Sequence, residues 1–213
     1  MPKGTRGGKR NGGTDRPLTE EEKEALDYYV IDGYYINSII RNDGNIDNLE
    51  QNYIKLLDDA TDATVKQDTL YRVVDANVIF GNIDDFTYED LRAHILLGDQ
   101  AYDRGAYSQG IKARMEKIVQ NAIGNTHKDR GFMSTTYSEE TAREKYSEET
   151  HGRNRVVMKI TNTKGAKGRD ISKYYNNDIS EENEVLLSRN NSYKVKKIYS
   201  KDYIIYVDVE LRR

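Results

Sequence analysis

Glu181-Glu182-Asn183-Glu184-Val185-Leu186-Leu187 sets an acidic cluster directly ahead of a short apolar run. Val-Leu-Leu bounded by polar residues reads as a buried strand, and a strand projects residues two apart from one face. Glu182 and Glu184 therefore share a face at the strand's mouth, about 6 to 7 Å apart. Two such carboxylates can divide labour. One can stabilise positive charge developing on a sugar while the other orients or deprotonates an incoming nucleophile, the logic of glycosidases. A solvated acidic turn is the plainer alternative.

Working outward, similar β-type runs are Leu70–Val74, Phe132–Tyr137, Arg155–Ile160, Tyr193–Ile198 and Tyr203–Leu211. The last alternates, with Ile205, Val207, Val209 and Leu211 facing one way and Tyr206, Asp208 and Glu210 the other, which predicts one wet face. The first third is helical instead. Thr19 with Glu22 forms a capping box ahead of Ala25, Tyr28, Tyr29, Ile36, Ile39 and Ile40, with a break at Gly33; Asp47 with Glu50 caps a second helix whose stripe is Leu49, Tyr53, Leu56, Leu57 and Ala60. Lys112–Ile123 and Glu139–Glu149 suit further helices. Helices first and strands after predict an α+β fold, not alternating βα units.

The 213 residues suit one domain, with 33 Lys and Arg against 36 Asp and Glu and a net charge of −3. The absence of cysteine excludes disulfides, a thiol nucleophile and Cys-ligated metals, and the three histidines lack metal-binding spacing. No metal is expected. No apolar run approaches the roughly 20 residues of a membrane span. Residues 1–17 read as a flexible basic tail, without a secretory h-region, and residues 18–213 as the single domain. Nucleic acid could be contacted only through that tail, since the overall charge is negative.

Two further places hold polar groups that a strand pattern does not require. Arg72 lies inside Leu70-Tyr71-Arg72-Val73-Val74, where a half-buried guanidinium needs an anionic partner. Ser134-Thr135-Thr136 follows Gly131-Phe132-Met133 and puts hydroxyls on both faces of a strand. An exposed arginine and an ordinary Thr-rich strand are the alternatives when each is taken alone. In this order, however, Arg72, Ser134-Thr135-Thr136 and Glu182-Asn183-Glu184 resemble the R-S-E class of mono-ADP-ribosyltransferases, which includes actin-modifying binary toxins and Rho-modifying clostridial exoenzymes. Tyr34-Tyr-Ile-Asn-Ser-Ile-Ile-Arg41 is similar to that family's leading-helix pattern, and the likeness spans Leu18 to Leu211.

The resemblance implies N-terminal helices packed on two antiparallel sheets that form an NAD cleft, with NAD as co-substrate. It makes Arg72 the phosphate clamp, Ser134 the partner of the catalytic Glu184, and Thr135 and Thr136 supports of that strand. Glu182 becomes the acceptor-sorting carboxylate, which favours transfer to an arginine of a target protein with release of nicotinamide. Tyr146, Arg153 and Arg155 are implied as further NAD contacts, and Tyr174, Tyr175 and Ile179 as acceptor-recognition positions. An NAD glycohydrolase toxin, or a non-catalytic phage-associated adaptor on the same fold, is the competing reading. The expected setting is the cytoplasm, or a target cell reached with the help of another component.

Overall fold

The computed structural model describes residues 16–42, 44, 46–102, 109–147, 154–174 and 183–212. Helix α1 (Glu20–Arg41) opens on the capping box: the Glu22 N–H donates to Thr19 Oγ1 at 3.2 Å, and the Thr19 N–H to Glu22 Oε2 at 2.9 Å. It kinks at Asp32, whose φ and ψ are −138° and 34°, beside the expected break at Gly33. A Cβ on Gly33 would lie 3.0 Å from the Tyr29 ring, so glycine lets that ring lie against the backbone. Helix α2 (Asn48–Ala60) starts on the Asp47–Glu50 box and buries Ile54, Leu57 and Ala60. Leu49, expected in that stripe, stays 62% exposed. Packing against α1 begins one turn later, where Tyr53 stacks on Tyr28 at 4.7 Å.

Strand β1 (Thr69–Asp75) precedes three helices, α3 (Asn77–Phe80), α4 (Asp85–Leu97) and α5 (Gln109–Ala122). Strands β2 (Thr126–Asp129) and β3 (Met133–Thr136) lead into α6 (Glu139–Ser147). Strands β4 (Arg155–Thr161), β5 (Gly168–Asp170), β6 (Glu184–Leu187), β7 (Asn191–Lys201) and β8 (Ile204–Arg212) follow. The fold is α+β, with the helices leading.

The strands form one ladder in the order β2-β7-β8-β4-β1-β3-β6-β5. The two sheets expected from the resemblance are thus two halves of one ladder, joined where β1 meets β3 through the single registered pair Tyr71↔Thr136. Pairing is antiparallel except between β4 and β8, which run parallel. The inner faces of both halves share one core, including Leu70, Met133, Met158, Ile160, Val185, Leu187, Val207 and Val209. A second core lies under α1 and α2, where Leu26, Ile36 and Leu57 meet Phe132, Ile171 and Leu186. The face of β8 expected to be wet is only partly so: Tyr206 is fully buried in a third cluster with Ala142 of α6 and Val157.

Side chains tie these layers together. Arg16, placed by sequence in the free tail, is held: its guanidinium donates to Glu22 Oε2 at 2.7 Å, and its carbonyl accepts from Arg169 Nη1 at 3.0 Å. Arg169 is 2% exposed, and its Nε donates at 2.5 Å to the carbonyl of Ala60, one of the orphan acceptors at the end of α2. Buried Asn37 joins α1 to the start of β3. Its Oδ1 accepts from the Phe132 N–H at 2.8 Å, while its Nδ2 donates to the Phe132 carbonyl at 3.1 Å and to Tyr29 Oη at 2.9 Å.

Asn37→Ala leaves the buried Phe132 N–H without its acceptor, while the carbonyl keeps the Tyr29 hydroxyl at 3.4 Å, and the expected cost is about 2 kcal/mol, read as a lower urea midpoint with unchanged m-value. A second prediction concerns pH. The Arg16 guanidinium and the Thr19 N–H hold the Glu22 carboxyl below its ordinary value of 4.5. The native chain therefore gives up this proton more readily than the unfolded chain does. The stability Glu22 contributes is complete above about pH 4.5 and is lost as pH falls through the lowered value. Wild type should exceed Glu22→Gln in unfolding free energy at pH 7, and the gap should close on acidification toward pH 3.

Candidate active site

A cleft of about 570 Å³ opens between α1, β1, β3, α6 and β6. Arg72, Ser134, Thr135, Thr136 and Glu184 all line it, although 112 residues of chain separate the first from the last. The register explains how. Thr136 stands opposite Glu184 and Ser134 opposite Leu186, so Ser134, Thr136 and Glu184 share one face of the β3–β6 pair. Thr135 points to the other face and donates to the Val185 carbonyl at 2.5 Å, which fastens the two strands. Thr136 Oγ1 accepts from the Ser138 N–H at 3.0 Å and shapes the turn into α6.

Ser134 Oγ donates a short hydrogen bond to Glu184 Oε1. Glu184 is 8% exposed, so its carboxylate is nearly withdrawn from water yet still on the cleft wall. A hydroxyl donor and a low-dielectric setting hold the carboxylate in one orientation, which is what stabilisation of a nearby positive charge requires.

The same cleft carries a cationic group. Arg41, at the end of α1, forms a fork on Asp129, Nε to Oδ1 and Nη2 to Oδ2, both at 2.9 Å. Arg72 Nη1 reaches the same Oδ2 at 3.3 Å, and the Gly131 N–H donates to Oδ1 at 2.9 Å. One carboxylate at the end of β2 thus aligns two guanidiniums, both on the cleft lining together with Lys145. Guanidiniums placed this way suit a diphosphate, which they can meet with paired N–H donors. Tyr29 adds an aromatic wall, T-shaped to Phe132 at 5.9 Å, and burial pushes its phenol up to about 12, so it stays a neutral donor.

Two expected contacts lie elsewhere. Tyr146 and Arg155 are not in the lining: the Arg155 guanidinium sits 5.6 Å over the Tyr146 ring, and its Nη1 donates to the Lys145 carbonyl at 3.0 Å. Arg155 thus serves an orphan acceptor at the C-terminal end of α6. Tyr174 is 38% exposed, and its hydroxyl accepts from Arg169 Nη1 at 2.9 Å. Arg153, Tyr175, Ile179 and Glu182 lie outside the described residues. Sequence reasoning did not assign Tyr29, Asn37, Arg41, Tyr71, Asp129 or Lys145 to the site. Asn37 and Arg41 stood in a quoted motif, but nothing in the sequence told which turn of α1 would face β3.

The cleft volume falls in the usual range for small-molecule sites, and its donor set of two guanidiniums, hydroxyls and aromatic faces fits a dinucleotide. Among the described residues no group of three His, Cys, Asp or Glu side chains is placed to hold a metal, and no helix is long and apolar enough to cross a membrane.

Comparison with known proteins agrees with this geometry. The C3 exoenzyme of Clostridium limosum superposes with a TM-score of 0.63 at 19% identity, covering 92% of this chain and 87% of that one. C3stau2 of S. aureus, solved with NAD, gives 0.63 at 22%, covering 92% and 88%. The enzymatic component C2-I of the Clostridium botulinum C2 toxin gives 0.65 at 20%; 91% of this chain matches 44% of that longer one. A search of curated protein sequences finds no match. The family described as ADP-ribosyltransferase exoenzyme matches residues 7–208. With Arg72, Ser134 and Glu184 gathered on one cleft, the chain belongs to the ADP-ribosyltransferase exoenzyme family, as an R-S-E class mono-ADP-ribosyltransferase that uses NAD.

Proposed function

We propose that this protein transfers ADP-ribose from NAD to an arginine of a target protein and releases nicotinamide. The observation that carries the reading is the Ser134–Glu184 hydrogen bond in a cleft that is also lined by two carboxylate-aligned arginines. Arg72 and Arg41 bind the diphosphate, with Lys145 adding charge. NAD supplies the glycosidic bond to be broken and nicotinamide as leaving group. Glu184, oriented by Ser134, sets its negative charge against the positive charge that develops on the nicotinamide ribose. Glu182, two residues earlier in sequence, binds the acceptor guanidinium and takes the proton its nitrogen loses as the new bond to the ribose carbon forms. Thr135 and Thr136 keep β3 and β6 in register for this. Residues 18–213 act as the catalytic domain, and Tyr174, Tyr175 and Ile179 belong to the segment that meets the acceptor.

The test uses NAD labelled on its adenylate portion, with free nicotinamide and labelled protein followed together in a bacterial lysate and in an actin-containing lysate. Glu184→Gln should lower both products by about a thousandfold. Glu182→Gln should abolish protein label and retain nicotinamide release. Nicotinamide from wild type without any labelled protein would shift the reading to a glycohydrolase.

Steady-state kinetics should separate the two walls of the cleft. Arg72→Lys loses the planar fork, and KM for NAD should rise about tenfold with a smaller change in kcat. Ser134→Ala removes the hydroxyl donor from the Glu184 carboxylate, and kcat should fall about 10- to 100-fold while KM changes less.

A further inference from the structure

Two residues of α6, Ala142 and Lys145, line the NAD cleft. They are three apart, so a single face of the helix is presented there. Little within the helix fixes that face. Nine residues are too few to hold a helix in water, where about 12 to 15 are needed even by good formers, and Ala142 is its one buried residue. The placement of Lys145 therefore depends on what grips the helix at its ends.

The two ends are gripped differently. At the N-terminal end Glu139 Oε1 accepts from Lys201 Nζ at 2.6 Å and from Tyr206 Oη at 3.0 Å, and Arg143 Nη1 meets Asp202 at 2.7 Å. The four charged side chains are each about a third or more exposed, and ion pairs in such a setting add little. The C-terminal end is held from the interior. Arg155, at the start of β4, is 9% exposed; its Nη1 donates to the Lys145 carbonyl at 3.0 Å, and its guanidinium lies 5.6 Å over the ring of Tyr146. A cation there also meets the negative end of the helix dipole. Arg155 is itself fixed, since it pairs with Asp75 of β1 and its carbonyl accepts from the buried Tyr88 hydroxyl at 2.7 Å.

We propose that Arg155 is a positioning residue for NAD binding: it pins the last turn of α6 and so keeps Lys145 on the cleft lining. The inference rests on the reading above, in which Lys145 adds charge at the diphosphate. Arg155 is outside the lining, so its effect passes through the helix. With the turn unpinned, Lys145 would leave the lining for part of the time, and affinity would fall by the fraction lost.

The test is a double-mutant cycle read as the Kd for NAD by titration calorimetry, with nicotinamide release followed in parallel. Lys145→Met removes the charge and keeps the stem. Arg155→Met removes the donor and keeps an aliphatic stem beside Tyr146. Each should raise Kd about tenfold, and the double variant should rise no further than the larger single effect. Arg155→Lys, which can still donate to a carbonyl, should recover most of the affinity. At saturating NAD the kcat of every variant should stay within about threefold of wild type, which a general loss of structure would not spare. Wild-type affinity in Arg155→Met would overturn the inference. Effects that multiply to about a hundredfold in the double variant would also overturn it, because Arg155 would then serve NAD independently of Lys145. A raised Kd in Arg155→Met with none in Lys145→Met, or a kcat that collapses with Kd, would do the same. A wild type that binds NAD without releasing nicotinamide would remove the transferase reading, and the cycle in Kd would still decide the inference; a wild type that binds no NAD removes both.

Discussion

A side-chain amide that imitates a β-strand governs the arrangement of this molecule. Asn37 presents an acceptor and a donor to the N–H and carbonyl of Phe132, the exchange that a neighbouring strand would otherwise make. A helix is thereby bonded to the start of β3 as specifically as a strand would be. The fit leaves no slack: a Cβ on Gly131 would collide with Asn37 Oδ1. Because Phe132 leads straight into Ser134, the position of α1 and the position of the strand that carries Ser134 are one variable. The same contact brings Arg41, one turn beyond Asn37, to Asp129.

Charge in the cleft is organised around that meeting point. Arg41 and Arg72 would repel each other across a half-buried wall if nothing stood between them, and Asp129 supplies the shared counter-charge. Asp129 is in turn held by the Gly131 N–H, so the hub is bonded to α1, β1 and the entry to β3 at once. Electrostatic alignment and backbone architecture therefore depend on the same few residues. Glu184 has its own donor in Ser134, on the strand that joins the two halves of the sheet where Thr136 meets Tyr71.

The elements that read clearly in the sequence are those whose local chemistry and tertiary setting agree. Both capping boxes, the break near Gly33 and the strand runs at β1, β3, β4, β6, β7 and β8 had unambiguous patterns, and each formed. Strand β2, Thr-His-Lys-Asp, carries no apolar alternation and is a strand only because β7 pairs with it. Gly168-Arg169-Asp170 is likewise recruited by β6, and Gly168 is needed where a Cβ would lie 2.8 Å from the Leu186 carbonyl. For the site, Arg72, Ser134 and Glu184 were legible because they interrupt strand patterns with polar groups. Asp129 was not, since an aspartate at the end of a polar segment looks like any solvated residue until two arginines converge on it. Arg155, implied by the resemblance as an NAD contact, donates instead to the Lys145 carbonyl at the end of α6, a partner that no local pattern announces.

The bonds that build this cleft join residues far apart along the chain. Ser134 and Glu184 are 50 residues apart, Arg72 and Asp129 are 57, Arg41 and Asp129 are 88, and Asn37 and Phe132 are 95. Contacts of such separation are closed late, because the entropy of bringing distant segments together must be met before they reward it. No single hairpin or helix pair contains a working fragment of the site. The arranged carboxylate and the aligned arginines therefore exist only where distant segments of the chain have come together, and no excised fragment would carry them both.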